Sequence, residues 1–321
     1  MKLAILGTGM IVKDALPVLS AIEGIDLKAI VSTQRSIETA QLLAQKFEIE
    51  EASYEYEKVL TNPEIDTVYV ATPNHLHYQM AKQALLAGKH VICEKPFTLA
   101  LADLEELASI AQQKQVFLLE AITNQYLENF TYIKEHLAQL GEIKIVECNY
   151  SQYSSRYDDF KQGRIAPAFD VNKGGGALRD LNIYNIHIVV GLFGKPDSVL
   201  YLPNIDNKVD TSGILILDYP TFKVACIGAK DCSAAIKSTI QGNKGSISIL
   251  GATNAMPELS VALNGQDEKR IQENKEDHRM TAEFKVFKEI IETKDSARAS
   301  EALNHSLAVM EVLEKASQSL L

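Results

Sequence analysis

The chain of 321 residues has no tryptophan, an absence that carries no functional message of its own. Cysteine is scarce: Cys93, Cys148, Cys226 and Cys232 form neither a CxxC pair nor a dense framework. That excludes a disulfide-stapled scaffold and fits a reducing compartment. No apolar run approaches the roughly 20 residues needed to span a bilayer, so no membrane partner is expected. Residues 1–6 run straight into Gly7, without the longer apolar region and cleavage site of a signal peptide, and a cytoplasmic location is the expectation. Excess positive charge is lacking too. The formal net charge is −10, which repels nucleic-acid phosphates and argues against nucleic acid as a partner. Internal repeats and low-complexity segments are also missing.

What remains is an average globular composition, 46% apolar and 23% charged, with enough material for buried cores and a length suited to about two domains. In the first third, short apolar runs at 3–6, 27–31, 67–71, 90–93 and 116–119 alternate with helix-like stretches at 10–22, 36–47, 75–87 and 101–114. Strands that are apolar throughout, each followed by a helix, read as a doubly wound parallel sheet with both faces covered. After Glu120 the pattern changes. Helix-like stretches at 124–140 and 177–193 surround strand candidates at 143–151, 198–202, 213–218, 222–227, 246–250 and 259–263, and helical stretches at 280–292 and 300–317 close the chain. The expectation is an α/β protein: an N-terminal Rossmann domain, residues 1–120, and a C-terminal α+β domain, residues 121–321, with a large open, mostly antiparallel sheet.

Gly7-Thr8-Gly9-Met10-Ile11-Val12 lies between the first strand and the first helix. Gly7 permits the tight turn, Gly9 lets the backbone approach a pyrophosphate, and the helix N-terminus offers free N–H groups and partial positive charge. Val12 stands where a third Gly or Ala is usual, so the motif is incomplete, and its place in the first βα turn supplies the specificity. A tight turn without a ligand is the rival reading. The second strand ends in Ser32-Thr33-Gln34-Arg35-Ser36, with no carboxylate to hold an adenosine ribose or repel a 2′-phosphate. The hydroxyls of Ser32 and Thr33 and the guanidinium of Arg35 favour NADP over NAD. Against that stands Arg35 as a plain solvated residue.

Ala71-Thr72-Pro73-Asn74-His75-Leu76-His77 and Gly88-Lys89-His90-Val91-Ile92-Cys93-Glu94-Lys95-Pro96 sit at the carboxyl ends of two strands, where ligands of doubly wound sheets bind. With Glu120-Ala121 and with Gly174-Gly175-Gly176-Ala177-Leu178 leading to Asp180 and Tyr184, they make the chain resemble the glucose-fructose oxidoreductase / inositol dehydrogenase / MocA family over nearly its whole length. The third motif is most similar to the dihydrodiol dehydrogenase branch.

The resemblance implies roles. Lys95 is the acid/base on the substrate oxygen, and Glu94 holds the nicotinamide ribose. Thr72, Pro73 and Asn74 line the nicotinamide end, and His77 braces that turn. Asp180 and Tyr184 complete the site, Tyr184 standing where many members carry His. It also implies a small polyol, sugar or hydroxy-carbonyl substrate, and a homodimer or homotetramer built on the exposed face of the second sheet. Two positions depart from the family: Gln125 replaces a frequent Arg and Asn182 a usual Gly, both near the expected substrate side.

On chemistry alone, Lys95 must lose pKa from about 10.4 through burial or a neighbouring cation to accept a hydroxyl proton near neutrality. Asp180 and Tyr184, four apart, share a helix face, and His187 three further on is the alternative acid/base. Tyr184 as a packed core tyrosine and His187 as a buried structural histidine are the rival readings. His75 and His77 lack companion ligands, so no metal is expected. Arg156, Arg164, Lys173 and Arg179 are candidates for gripping an anionic substrate, or simply solvated loop charges. Two other readings stay open: an enzyme that retains its cofactor between two substrates, and a non-enzymatic NADP(H)-sensing or scaffold protein, against which Lys95 argues.

Overall fold

A computed structural model describes residues 1–318; positions 319–321, which the expected second domain includes, lie outside the described residues. The chain forms two compact units, one of Met1–Ala121 with Met280–Leu307 and one of Ile122–Arg279 with Ala308–Leu321.

In the first unit, strands β1 (Lys2–Leu6), β2 (Asp26–Val31), β3 (Glu51–Ser53), β4 (Thr67–Val70), β5 (His90–Glu94) and β6 (Leu118–Ala121) form a parallel sheet in the order β3-β2-β1-β4-β5-β6. Helices α1 (Met10–Ala21), α2 (Ile37–Lys46), α3 (Tyr56–Thr61), α4 (His77–Leu86) and α5 (Leu101–Lys114) connect them. This is the Rossmann order, and its direction reverses between β1 and β4, where the carboxyl ends of adjacent strands diverge into a crevice. All four residues of β4 and four of the five in β1 are buried, which accounts for their unbroken apolar sequence. The helices are apolar on one stripe only: α5 buries Leu104, Leu107, Ile110 and Ala111 and ends on Gln115 in the left-handed conformation. Phe284, from the segment 280–307, meets the fully buried Tyr69 edge to face at 5.2 Å.

In the second unit, β7 (Ile143–Ser151), β8 (Ser198–Asp206), β9 (Val209–Asp218), β10 (Lys223–Ala229), β11 (Lys237–Gly242), β12 (Gly245–Leu250), β13 (Glu258–Leu263) and β14 (Lys269–Ile271) make one sheet in the order β14-β13-β12-β11-β7-β10-β9-β8. Every pairing is antiparallel except β7 with β10 at its centre. Helices α6 (Glu128–His136), α7 (Tyr157–Lys161) and α8 (Ile183–Phe193) lie before and among these strands, and α9 (Arg279–Thr293) and α10 (Ser296–Ser317) close the chain. Residues 183–190 of α8 are all buried, as an all-round apolar helix requires. Both expected sheets are present, as is the expected fold class. The sequence reading passes over β3, β11, β14, α3 and α7. Four of these are edge strands or helices of three to six residues, too short for a periodic signal, and β11 (KSTIQG) is mostly polar. No helix among the described residues is long and apolar enough to cross a membrane.

Candidate functional site

The site residues fall into two groups, one in each unit. The first begins where β1 ends. Gly7 has φ +119° and donates its N–H to the carbonyl of Val31 (2.8 Å); a Cβ there would lie 2.4 Å from the carbonyl oxygen of Ala71. Only glycine fits, because both the backbone conformation and the gap to the end of β4 exclude a side chain. Gly9 caps α1 without a side-chain hydrogen bond, and no acidic residue occupies the first helical turn. A Cβ on Gly9 would meet no atom within 4 Å. The helix start is therefore open, uncapped and free of negative charge, which suits a phosphate group. Thr8 and Ile11 are half-buried and Met10 is exposed, whereas Val12 is fully buried under the helix. At the end of β2 the Thr33 and Ser36 hydroxyls bond each other (2.8 Å), the Ser32 hydroxyl donates to the Thr33 carbonyl (3.0 Å), and Arg35 is exposed on a short 3-10 turn.

The ends of β4 and β5 are tied to each other. The His77 ring is fully buried, with Nδ1 2.9 Å from the Pro96 carbonyl oxygen and Nε2 2.8 Å from that of Thr72. The imidazole thus lies between the turn after β4 and the Lys95-Pro96 segment after β5, donating to one of the two carbonyls in its neutral form. Burial pushes its pKa below the ordinary histidine value, against the pull of the two carbonyls. Tyr69 donates its hydroxyl to Glu94 Oε1, and both groups are buried. Burial and then the Glu94 charge push the Tyr69 phenol well above its usual pKa, so it stays a donor. Glu94 is 7% exposed, Lys95 is half-buried, Asn74 opens a 3-10 turn into α4, and Pro73 is exposed. Thr72 Oγ1 is buried with no hydrogen-bond partner. A buried hydroxyl without a partner is costly, and a ligand reaching this turn would satisfy it. The open helix start and this hydroxyl both fit a dinucleotide. His75 is exposed and His77 buried, so their rings do not share a face, and no group of three or more His, Cys, Asp or Glu side chains among the described residues is placed to hold a metal.

The second group surrounds the start of α8. Residues Leu178–Asn182 form a π-helical turn, a feature that recurs at functional sites. It carries Asp180, half-exposed, just ahead of Tyr184, which is 7% exposed and 6.0 Å from the Tyr150 ring. His187 is fully buried in the same helix. Asp180 Oδ2 is 2.7 Å from Nζ of Lys230, a lysine only 2% exposed that the sequence reading overlooks. The only sequence signal for it is a lone lysine directly after the apolar strand β10.

Both departures from the family pattern point into the interior. Asn182 is fully buried and donates to the Cys226 carbonyl (3.0 Å), and Gly228 makes room for it, since a Cβ there would lie 2.8 Å from that of Asn182. Gln125 donates to the backbone carbonyl of His187 (3.0 Å). Both side chains are engaged with backbone carbonyls of the second unit.

The loop cations are likewise engaged. Arg164 pairs with Asp159 and Lys173 with Asp170, while Arg179 donates to the Ser317 hydroxyl (3.0 Å). Burial lowers the Arg179 pKa and the nearby Asp210 raises it. Asp210 itself accepts from the Leu178 N–H (2.7 Å) and the Tyr201 hydroxyl (2.8 Å).

Comparison with known proteins places the chain in a family. The oxidoreductase family with an NAD-binding Rossmann fold, GFO/IDH/MocA, matches residues 1–121, and the GFO/IDH/MocA C-terminal domain matches residues 130–248. A scyllo-inositol 2-dehydrogenase (NADP(+)), IolU, of Bacillus subtilis (strain 168) is 36% identical over 77% of this chain and 75% of its own. A trans-1,2-dihydrobenzene-1,2-diol dehydrogenase of Xenopus laevis is 29% identical over 84% of this chain and 80% of its own. The fold is shared with KijD10, a 3-ketoreductase from Actinomadura kijaniata solved with NADP and TDP-benzene, at a TM-score of 0.87 and 21% identity, covering 99% of this chain and 97% of that one. Matched in both its nucleotide-binding and its C-terminal parts, the chain belongs to the GFO/IDH/MocA family of oxidoreductases.

Proposed function

We propose that this protein is an NADP-preferring dehydrogenase or reductase acting on an uncharged polyol, sugar or hydroxy-carbonyl compound. The observation that carries the reading is the open, uncapped start of α1 with a carboxylate-free, hydroxyl- and Arg35-bearing segment at the end of β2. A relative named for NADP(+) and inositol supports it. Gly7, Thr8, Gly9, Met10 and Ile11 hold the pyrophosphate, and Ser32, Thr33 and Arg35 the 2′-phosphate. Thr72, Pro73, Asn74 and Glu94 hold the nicotinamide end. The nicotinamide, when bound, exchanges a hydride with the substrate carbon.

Lys95 takes the hydroxyl proton when the alcohol is oxidised and returns it when the carbonyl is reduced. Its half-burial and the His77 contact with the next residue fix its backbone for that task. Tyr184, with Asp180 ahead of it, belongs to the substrate-binding group, and buried His187 is held as their structural neighbour. The partners that Arg164, Lys173 and Arg179 have inside the chain favour an uncharged substrate over an anionic one. A second copy of this chain covers the apolar face of the second sheet, where Leu200, Leu202 and Ile214 are 52%, 54% and 42% exposed and Leu202 stands opposite Ile214.

The test is a panel of inositols, aldoses, dihydrodiols and their keto forms with NADP+ or NADPH, run on the wild type and on Lys95→Ala. Turnover of an uncharged polyol by the wild type is expected, with a loss of about 10²–10⁴-fold in kcat and intact NADPH binding in the variant. Undiminished turnover by Lys95→Ala would remove Lys95 from the mechanism.

A further inference from the structure

We propose that Lys230 is the residue that positions Asp180. The proposal rests on the reading of Asp180 as part of the substrate-binding group. Lys230 directly follows β10, and its backbone N–H is fixed to the Thr211 carbonyl (2.8 Å). Its side chain is 2% exposed. Nζ lies 2.7 Å from Asp180 Oδ2, 2.6 Å from the Ala168 carbonyl oxygen and 4.2 Å from the centre of the Phe169 ring. An ammonium has three N–H groups, and these three neighbours account for all of them. The neighbouring acid, Asp231, is turned elsewhere and accepts from the hydroxyls of Thr211 (2.7 Å) and Ser212 (2.9 Å). Lys230 is thus too enclosed to meet a substrate and is committed to one carboxylate.

Its position gives that commitment a purpose. Asp180 sits on a π-helical turn, a feature frequent at functional sites, and its side chain is half-exposed. Lys230 supplies the constraint from the adjacent strand and ties the same carboxylate to the 167–169 turn that precedes Gly174-Gly175-Gly176. A buried charge is tolerated only when paired, and Asp180 supplies that partner for the enclosed Lys230. Asp180, held by Lys230, accepts a hydrogen bond from a substrate hydroxyl in one orientation.

The test is a double-mutant cycle with Lys230→Met, Asp180→Asn and the double variant, assayed with NADP+ and scyllo-inositol, or with the panel's best substrate if scyllo-inositol is not turned over. Lys230→Met is expected to lower kcat/KM by about 10²-fold, the scale of a misplaced catalytic contact, with the NADPH Kd unchanged. The double variant is expected to be no slower than Asp180→Asn alone. Lys230→Arg, which keeps the charge, is expected to recover most of the activity and is the variant to rely on if Lys230→Met does not fold. Losses that multiply in the double variant, or no recovery with Lys230→Arg, would overturn the positioning role while leaving the proposed function standing. Full activity of Asp180→Asn would overturn the positioning role together with the place of Asp180 in the substrate-binding group, and leave the NADP-dependent oxidoreduction standing.

Discussion

Gly7 and Ala71 approach so closely that a Cβ on the first would lie 2.4 Å from the carbonyl oxygen of the second. The contact joins the end of β1 to the end of β4, at the point where the strand order reverses. Gly7→Ala must both occupy a φ of +119° and push that carbonyl away. The backbone conformation alone costs about 1–3 kcal/mol. We expect a Tm lower by several degrees in calorimetry and loss of NADPH binding in titration. Gly9→Ala, which meets no atom, should retain the Tm and lose only affinity.

Arg35 is exposed, so its contribution to a 2′-phosphate is at the low end of a charge-assisted bond, about 1.5 kcal/mol, or roughly tenfold in affinity. Arg35→Ala is expected to raise the Kd for NADPH about tenfold and to change that for NADH less than twofold. Equal losses for both would identify Arg35 as a general structural residue.

How far the sequence alone reaches differs from residue to residue. Gly7 was readable because glycine between an apolar run and a helix has few other uses, and the buried strands were readable because coverage on both faces leaves no polar position. The Lys95 and Asp180 motifs were readable through the family resemblance. Lys230 was not, since its partner is 50 residues away and no local pattern encodes a cross-sheet ion pair. The partners of Asn182 and Gln125, the Cys226 and His187 carbonyls, are likewise set by packing and carry no local sequence signal.

The two histidines with depressed pKa set a pH limit. His77 and His90 are both lowered, chiefly by burial. The unfolded chain binds protons at these rings near pH 6.5 while the folded protein resists them, so stability is full above about pH 6.5 and falls as pH drops through the folded values. Thermal scans from pH 8 to pH 5 should show Tm falling below about pH 6.5. His77→Gln should be less stable at pH 8 and show a shallower fall. An unchanged slope would mean that another group controls the acid limb.

Leu202 and Ile214 stand opposite each other on the exposed face of the second sheet. Leu202→Asp places a charge where a second copy of the chain would bury apolar surface. Light scattering is expected to show a dimer or tetramer for the wild type and a smaller species for the variant, with an unchanged circular dichroism spectrum. A monomeric wild type would leave that face without its proposed partner.

The measurement that bears most directly on the whole account is a parallel fluorescence titration of cofactor-free protein with NADPH and NADH. The account predicts saturable NADPH binding and binding of NADH at least tenfold weaker, as the open α1 start and the carboxylate-free end of β2 require. Preference for NADH would contradict the role given to Arg35, and binding of neither would contradict the nucleotide site on which the proposed chemistry depends.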